Sequence, residues 1–310
     1  MPGAPQDPAG KLHIEYESLG DARHPAIVLI MGLGMQLMAW PDDFCHGLVA
    51  RGYRVVRFDN RDCGLSTRTP GRRRVNLPLA MAAAALGLPV RTPYTLEDMA
   101  GDTVGLMDRL EIERAHIVGA SMGGMIAQVL AARFPQRVLS LTSIMSSSGN
   151  RRVSRPSRTA RKVLLGRPAD PADPESVIDH LVEMFGVIGS PAYPTPAAEL
   201  RQRVGRSVHR AYEPAGTARQ LLAIIASGDR RKMLRTIAAP TLVIHGASDP
   251  LVSVAAGRDT AQQIPGASLL VIDGMGHDLP AALLPRLVQA IADHCDRSAV
   301  AARNTLAAQG

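Results

Sequence analysis

The sequence predicts an α/β fold, in which a mostly parallel central sheet carries helices on both faces and an inserted helical cap. Short runs rich in β-branched residues alternate with helical patterns along most of the 310 residues, and such alternation is typical of a parallel sheet. The runs AIVLIM (26–31) and AHIVGA (115–120) are continuously apolar, as expected for strands buried on both faces. Residues 147–236 replace the alternation with a mainly helical pattern, which predicts the cap.

The domain boundaries follow from where the alternation stops and resumes. Residues 1–146 and 237–295 are assigned to the α/β core, and residues 147–236 to the inserted helical cap. Pro-rich turns separate the candidate helices of the cap. Residues 296–310 follow the last expected core helix, and we predict that they fray.

Each expected element has a local signal. Residues 12–20 alternate polar and apolar side chains, as an edge hairpin strand would. Pro41 and Gly52 mark the start and end of a helix, and Thr95 is an N-cap for another. Residues 68–94, rich in Arg, Pro and Ala, are expected to be irregular. Strands are expected at 12–20, 26–31, 53–58, 115–120, 138–145, 241–246 and 268–273. Helices are expected at 41–52, 95–110 and 121–134, after each of the last two strands, and near 175–188, 197–212 and 216–227 in the cap.

The basic charge of the chain does not predict nucleic-acid binding. The formal net charge is +7, but only three of the 35 basic residues are lysine, so the excess is an arginine bias. The two arginine clusters, Arg72–Arg74 and Arg151–Lys162, lie in expected surface segments. Aromatic residues make up 3% of the chain, which leaves few rings on which bases could stack. We therefore expect no nucleic-acid partner.

The sequence carries no signal for export or for a membrane. Residues 1–11 lack the charged start and apolar centre of a signal peptide, and no run reaches the roughly 18 uninterrupted apolar residues of a membrane span. The cysteines, Cys45, Cys63 and Cys295, are scattered and have no CxxC spacing, so they predict neither a disulfide framework nor a zinc site. We expect a cytoplasmic protein with reduced thiols and no membrane partner; the sequence leaves its oligomeric state open.

A serine follows one of the buried strands in a Gly-rich pattern. Gly119, Ser121 and Gly123 form G-x-S-x-G between the expected strand 115–120 and the expected helix 121–134. A turn this tight would bring a Cβ at either glycine against a neighbouring strand or helix. The serine hydroxyl would then stand above the sheet beside the free amides of the helix start. Ser121 is therefore a candidate nucleophile; the simpler alternative is a helix N-cap.

A serine nucleophile needs a base, and the base needs an acid. His277 lies in the Gly-rich loop DGMGHDLP after the last expected strand, and Asp249 lies in HGASDPLV after the preceding one. His116 and His245 fall within apolar strands and are expected to be satisfied core residues. Ser121, Asp249 and His277 occur in the order expected for a triad whose members follow successive parallel strands.

An acyl-transfer site also needs donors for the oxyanion. The backbone N–H of Met122 is one candidate, because it follows the nucleophile directly. The loop MGLGMQ (31–36), after strand 26–31, supplies the other, for which we choose the N–H of Leu33. The sequence contains no metal-ligand cluster and no nucleotide-binding glycine motif. The chemistry requires no cofactor and no metal.

Five segments together resemble the α/β-hydrolase superfamily. They are MGLGMQLMAWPDDF, RFDNRDCGLSTR, HIVGASMGGMIAQ, PTLVIHGASDPLV and IDGMGHDLP. Within the superfamily, the Met31–Gly32 pair, the WPDDF segment (40–44) and the GMGH loop resemble aclacinomycin methylesterase and its esterase-like relatives. This resemblance implies an α/β-hydrolase fold with a helical cap and a carboxylic-ester hydrolase acting on a small-molecule ester. It implies the same triad, with Leu33 and Met122 as the oxyanion hole.

The chain departs from the family pattern in one turn. The usual D-x-R-G-x-G-x-S has Asp62 at its first glycine position. We expect this turn to be structural, so the change should affect stability more than chemistry. The cap is Arg-rich at its start, and the resemblance does not extend to a particular substrate. As pocket residues we predict side chains from the loops and the cap: Met31, Met35, Trp40, Met184, Phe185, Met275 and Leu279.

Two alternatives to an esterase stay open at this point. A lactonase, a thioesterase or a carbon–carbon bond hydrolase would use the same triad. A non-catalytic ligand receptor could keep the fold without turnover. An epoxide hydrolase or dehalogenase is disfavoured, because the resembling enzymes of those classes have Asp where this chain has Ser121.

Overall fold

The computed structural model describes residues 12–70, 76–164 and 166–307. The sequence-based predictions for residues 1–11, for the Arg72–Arg74 cluster and for 308–310 lie outside the described residues. The described strands form one seven-stranded sheet in the order β1-β3-β2-β4-β5-β6-β7. The strands are β1 (Tyr16–Leu19), β2 (Ala26–Ile30), β3 (Arg54–Phe58), β4 (Ala115–Ala120), β5 (Val138–Ile144), β6 (Thr241–Gly246) and β7 (Ser268–Ile272).

The sheet is parallel except at one edge. β1 pairs antiparallel with β3, and every other pair of neighbouring strands is parallel. The prediction of an edge strand is correct, but β1 pairs with β3 and not with β2, its neighbour in sequence, so the expected hairpin is wrong. β2 and β4 are buried along their whole length, because helices cover both faces of the sheet centre.

Helices cover the two faces of the sheet with separate hydrophobic clusters. Before β5 the helices are α1 (Asp42–Ala50), α2 (Leu77–Ala85), α3 (Leu96–Arg109) and α4 (Met122–Arg133). On one face, buried side chains of α3 and α4 pack against the sheet, among them Met99 and Ile126. On the other face, Phe44 of α1 packs with Leu287 and Ile291 near the carboxyl end of the chain. The predicted α/β fold is confirmed.

Five helices lie between β5 and β6, in the segment assigned to the cap. They are α5 (Arg158–Leu164), α6 (Pro174–Ile188), α7 (Ala197–Arg210), α8 (Pro214–Ser227) and α9 (Arg231–Leu234); we call them the inserted helices. Two helices of the core follow, α10 (Val254–Gln263) and α11 (Leu284–Ala307). The expectation that residues 68–94 are irregular is wrong for α2, and α5 and α9 were not predicted. In α2 the apolar side chains do not follow a helical period, and Leu79 and Met81 are exposed.

The last helix is longer than predicted. α11 continues to Ala307, whereas the sequence analysis ended it at residue 295 and expected fraying from 296. At the start of this extension the contacts are tertiary, because the hydroxyl of Tyr53 donates to Asp296 at 2.5 Å and Ser298 is buried. Fraying of the tail stays a prediction. Among the described helices, α11 included, none has the length and apolar content needed to cross a bilayer.

Two ion pairs attach the turn after β3 to the inserted helices. Asp59 pairs with Arg210 of α7 at 2.7 Å, and Asp62 pairs with Arg219 of α8 at 2.7 Å. Neither carboxylate side chain has exposed surface. Asp62 has φ 64°, in the left-handed region that favours glycine, and its side chain also accepts the N–H of Thr69. Asp62, at the position where the resembled pattern has glycine, therefore adds an ion pair between the turn after β3 and α8.

Breaking the Asp62–Arg219 pair should destabilise the protein. In Arg219→Gln the buried carboxylate of Asp62 loses its cation, and a broken buried pair costs about 3 kcal/mol. We expect the free energy of unfolding in urea to fall by about that amount. Arg201→Gln is the matched control, since Arg201 forms only exposed pairs and should change stability by less than about 1 kcal/mol. In the double variant Asp62→Gly/Arg219→Gln we expect recovery, because both charges of this pair are removed together; an equally unstable double variant would contradict this account.

Candidate active site

The three residues predicted as a triad lie in loops at the carboxyl edge of the sheet. The loops that follow β2, β4, β6 and β7 all leave this edge, because these strands are mutually parallel. β3 lies on one side of β2 and β4 on the other, so the chain order reverses at this point. In open α/β sheets, ligands bind in the crevice formed at such a reversal.

Ser121 occupies a strained turn between β4 and α4. Its φ is 55° and its ψ is −119°, a conformation that non-glycine residues rarely adopt. A Cβ at Gly119 would lie 2.2 Å from the carbonyl oxygen of Gly123, and a Cβ at Gly123 would lie 1.9 Å from the carbonyl oxygen of Ile30. Both glycines are therefore required for the close approach of β4, α4 and β2, as the sequence analysis argued.

Gly123→Ala should disrupt the fold around this turn. The added methyl group would meet the backbone of β2 and not a movable side chain, so the strand or the helix has to shift. We expect the variant to be insoluble or to unfold at a temperature at least about 10 °C below wild type, a loss of several kcal/mol. Gly105→Ala in α3 is the control, because a Cβ there meets nothing within 4 Å; it should unfold at or above the wild-type temperature. A Gly123→Ala variant as stable as the control would refute the steric argument.

The Ser121 side chain does not act as a helix cap. It accepts no hydrogen bond from the amides of α4, and its Oγ lies 3.0 Å from Nε2 of His277. Nδ1 of His277 lies 2.7 Å from Oδ2 of Asp249. Because an ionised carboxylate can only accept, Nδ1 carries the proton and Nε2 is free to accept from the serine hydroxyl. The three residues thus form one continuous hydrogen-bonded chain.

Asp249 is held in a buried turn after β6. Its Oδ1 accepts the N–H groups of Leu251 at 2.9 Å and Val252 at 2.8 Å. Burial by itself raises the pKa of Asp249, but the charge of His277 and hydrogen bonds from His245, His277 and Val252 outweigh it and lower the pKa to about 2. The carboxylate is therefore ionised throughout the ordinary pH range.

The lowered pKa of Asp249 predicts a loss of stability in acid. A carboxyl group with its folded-state pKa at about 2, below the ordinary value of 3.8, stabilises the fold above pH 4 by about 2 kcal/mol. That contribution falls as the pH drops toward 2, and about 1 kcal/mol of it is lost by pH 3. Urea unfolding at pH 6 and pH 3 measures the loss of stability. The Asp249→Asn variant should lose about 1 kcal/mol less than wild type between these two pH values. Equal acid losses in both proteins would count against the prediction.

The inserted segment holds the loop that carries His277. The N–H of His277 donates to the carbonyl of Ile188 at 2.7 Å, and the N–H of Gly276 donates to Oγ of Ser190 at 2.8 Å. Ser190 also donates to the carboxylate of Asp278, whose pKa is raised by burial. These contacts from the end of α6 were not predicted from the sequence, since they join residues about 90 positions apart and follow no local pattern.

The loop after β2 passes directly over Ser121. A Cβ at Gly32 would lie 3.2 Å from Cβ of Ser121, so the loop backbone is in contact with the serine. The Asn60 side chain donates to the carbonyl of Met31, and Gln220 of α8 accepts the N–H of Gly34. Within the described part of the chain, no protein acceptor is recorded for the N–H of Leu33 or of Met122.

The predicted pocket residues divide into two groups. Met31, Trp40, Met275 and Leu279 are buried in the hydrophobic cluster between the sheet and α1 and α11, and Trp40 stacks on Phe44 with ring centroids 5.3 Å apart. Met35, Met184 and Phe185 are half-buried. Phe185 packs against a small hydrophobic cluster of α6 and α7. This contact is ordinary core packing and by itself does not indicate a role in binding substrate. For these seven positions a role in binding substrate stays a prediction.

His116 and His245 lie in the core. Nδ1 of His116 lies 2.8 Å from Oγ of Ser140, and burial lowers the pKa of His116 to about 4. Nε2 of His245 donates to the carbonyl of Val252 at 2.8 Å, directly beside the turn of Asp249. Among His116, His245 and His277, only His277 lies within hydrogen-bond distance of the Ser121 hydroxyl.

Metal ligands and thiols are not part of this arrangement. Within residues 12–307, apart from the two short gaps, no group of three or more His, Cys, Asp or Glu side chains could hold a metal ion. Cys45, Cys63 and Cys295 are free and buried, and burial raises the pKa of each thiol.

The model of the family described as the alpha/beta hydrolase fold matches residues 25–185, just over half of the chain. The chain belongs to the α/β-hydrolase family. Rhodomycin D methylesterase of Streptomyces peucetius is 28% identical over 297 residues, which cover 90% of this chain and 93% of the relative. The 3-oxoadipate enol-lactonase 2 of Acinetobacter baylyi is 24% identical over 261 residues, with 84% and 85% covered.

A solved structure shares the fold over nearly the whole chain. The meta-cleavage product hydrolase of Pseudomonas fluorescens IP01 superposes with a TM-score of 0.71 at 20% identity, covering 94% of this α/β-hydrolase and 96% of that chain. The sequence-based resemblance to the superfamily, and within it to a methylesterase, is confirmed.

Proposed function

We propose that this α/β-hydrolase cleaves small-molecule carboxylic esters through an acyl-enzyme formed on Ser121. The observation that carries the proposal is the hydrogen-bonded chain from Ser121 through His277 to Asp249, with distances of 3.0 and 2.7 Å. The similarity to a methylesterase over 90% of the chain supports the choice of an ester as the substrate.

The first half of the reaction forms the acyl-enzyme. Oγ of Ser121 attacks the ester carbonyl carbon while Nε2 of His277 takes the hydroxyl proton. Asp249, ionised because its pKa is about 2, stabilises the imidazolium and keeps Nδ1 protonated. His277 then gives its proton to the departing alcohol, and the ester C–O bond breaks.

The negative charge on the carbonyl oxygen needs donors that are already in place. The N–H of Met122 lies at the start of α4, where backbone N–H groups have no partner within the helix. The N–H of Leu33 lies in the loop that contacts Ser121. These two amides are the proposed oxyanion hole, and each such donor contributes about 100-fold or more to the rate.

The second half releases the acid. Water enters the space vacated by the alcohol, and Nε2 of His277 takes one of its protons as the oxygen attacks the acyl carbon. The tetrahedral intermediate collapses, the bond to Oγ breaks, and the proton returns from His277 to Ser121. The carboxylic acid leaves, and neither a cofactor nor a metal takes part.

The inserted helices are the proposed cap of the site. They contact two of the loops that carry it, through Gln220 on the loop after β2 and Ile188 on the loop of His277. Arg219 contacts the neighbouring turn after β3. A cap fixed at so many points would hold the acyl or the alcohol portion of the substrate against Ser121. Because the relative at 28% identity is a methylesterase, methyl esters of larger acids are the first substrate class to test.

A lactonase reaction is the second candidate. It is favoured by the enol-lactonase relative, which is 24% identical, and it uses the same steps with the alcohol still attached to the acyl group. A thioesterase, a carbon–carbon bond hydrolase and a non-catalytic receptor stay as alternatives that only turnover can separate.

The test is turnover of a substrate panel together with capture of the intermediate. Wild-type protein is assayed with p-nitrophenyl esters from acetate to decanoate, with methyl esters of aromatic acids and with enol-lactones. Rapid acid quench and peptide mass spectrometry should find the acyl group on the peptide that contains Ser121. Faster turnover of lactones than of any ester would replace the esterase assignment. A ligand that raises thermal stability but is never turned over would favour the receptor.

A further inference from the structure

The peptide bond between Ser121 and Met122 has a contact on its carbonyl side. The hydroxyl of Ser146 donates to the carbonyl oxygen of Ser121 at 2.7 Å, and the same oxygen accepts the helical N–H of Met125 at 3.2 Å. The N–H at the other end of this peptide bond is that of Met122, one of the two proposed oxyanion donors. Because the peptide unit is planar, a hydrogen bond to its oxygen also sets the direction in which its N–H points.

Ser146 is held beneath the turn by the end of β5. The N–H of Ser121 donates to the carbonyl of Ile144 at 2.9 Å, so this segment binds both backbone groups of Ser121. Met145 has φ 42° and, like Ser121, is a left-handed residue that is not glycine, and its N–H donates to the carbonyl of Ile244. Strain of this kind persists only where the surrounding structure enforces it.

The space for the Ser146 hydroxyl depends on a glycine. A Cβ at Gly124 would lie 2.6 Å from Cβ of Ser146 and 2.8 Å from its Oγ. Ser146 is only 2% exposed, so water does not compete freely for its hydrogen bond. The contact between a buried hydroxyl and the Ser121 carbonyl therefore has a fixed geometry.

We propose that Ser146 is a positioning residue for the oxyanion hole, which rests on the proposed function of Ser121. Together with the N–H of Met125, which binds the same oxygen, its hydroxyl holds the plane of the Ser121–Met122 peptide and directs the Met122 N–H toward the developing oxyanion. Hydrogen bonds in a chain polarise one another, so a donor on the carbonyl also makes the N–H at the other end a stronger donor. The gain is larger in the transition state, where the oxygen is charged, than in the bound ester.

The alternative is that Ser146 only stabilises the turn. A purely structural role would change the unfolding temperature and leave the kinetic constants of the folded enzyme unchanged. The two roles therefore differ in kcat, in KM and in the affinity for an inhibitor that carries an oxyanion.

The experiment compares Ser146→Ala with wild type and with Ser147→Ala. Ser147 is the matched control, because it is the next residue, is also buried and bonds to Ser154 and not to Ser121. In Ser146→Ala we expect kcat for the preferred ester to fall about 10-fold with KM within about twofold. The affinity for a trifluoromethyl ketone, which adds Ser121 to give a hemiketal oxyanion, should weaken by a similar factor. Ser147→Ala should have the wild-type kcat, KM and affinity for the trifluoromethyl ketone.

Several outcomes would overturn the inference. They are a kcat within twofold of wild type in folded Ser146→Ala, a rise in KM alone, or a changed pH–rate profile, which would place the effect on proton transfer and not on the oxyanion. If Ser146→Ala does not fold, Ser146→Cys replaces it, since a thiol is a weaker donor of similar size, and the same decrease is expected. Full activity of Ser121→Ala would instead refute the proposed function, so the two failures are distinguishable.

Discussion

Ser121→Ala is expected to reduce kcat/KM for the preferred ester by about 10⁵- to 10⁶-fold. Removing the nucleophile of a triad costs nearly as much as removing the whole triad, because His277 then has no hydroxyl to activate. Any remaining rate would come from the oxyanion hole acting on water. The measurement is the initial rate of ester hydrolysis over a range of enzyme concentration, with the variant purified separately from wild type to avoid contamination.

The controls for Ser121→Ala concern its partners and its fold. His277→Ala should lose a similar factor, and the double variant Ser121→Ala/His277→Ala should be no slower than either single variant, because the two groups act as one unit. The variant should unfold near the wild-type temperature, since Ala fits where Ser121 makes no helix-cap bond. Equal activity of Ser121→Ala and wild type would show that esters are cleaved without this nucleophile.

Asp249→Asn is expected to reduce kcat by about 10⁴-fold while the fold persists. An amide can keep its oxygen on the N–H groups of Leu251 and Val252, which leaves the NH₂ group facing Nδ1 of His277. Because Nδ1 would then have to accept, the ring proton moves to Nε2. A protonated Nε2 cannot take the proton of Ser121, so the base is disabled without being displaced.

The pH dependence distinguishes this explanation from a loss of structure. In wild type Asp249 stays ionised down to about pH 2, so its protonation does not limit the rate above that pH. In Asp249→Asn activity should recover partly above neutral pH, where hydroxide can assist the serine. Asp249→Ala is a useful comparison, because it removes the turn's hydrogen bonds as well and should be less stable. A full-rate Asp249→Asn enzyme would exclude Asp249 as the acid of the triad.

Local sequence patterns predicted most of the framework of this site. Continuous apolar runs marked the buried strands, and the G-x-S-x-G pattern marked the turn at Ser121, because only glycine allows backbones to approach as closely as at Gly119 and Gly123. The order of Ser121, Asp249 and His277 followed from the rule that the carboxyl ends of parallel strands share one edge of the sheet. Such signals lie within a few residues of each element, so they can be recognised in one sequence.

The contacts between distant segments could be decided only by the tertiary structure. β1 pairs with β3, Ser146 binds Ser121, and Ile188 binds His277. Each of these contacts joins segments that share no local pattern. The extension of α11 to Ala307 was likewise not visible in the sequence. The sequence does not show whether a given hydroxyl or carbonyl group binds water or a distant part of the chain. The sequence by itself therefore determined the fold class, the tight turn at Ser121 and the placement of Ser121, Asp249 and His277 after parallel strands. The tertiary structure decided which groups hold them, because hydrogen-bond partners are chosen by proximity in space and not along the chain.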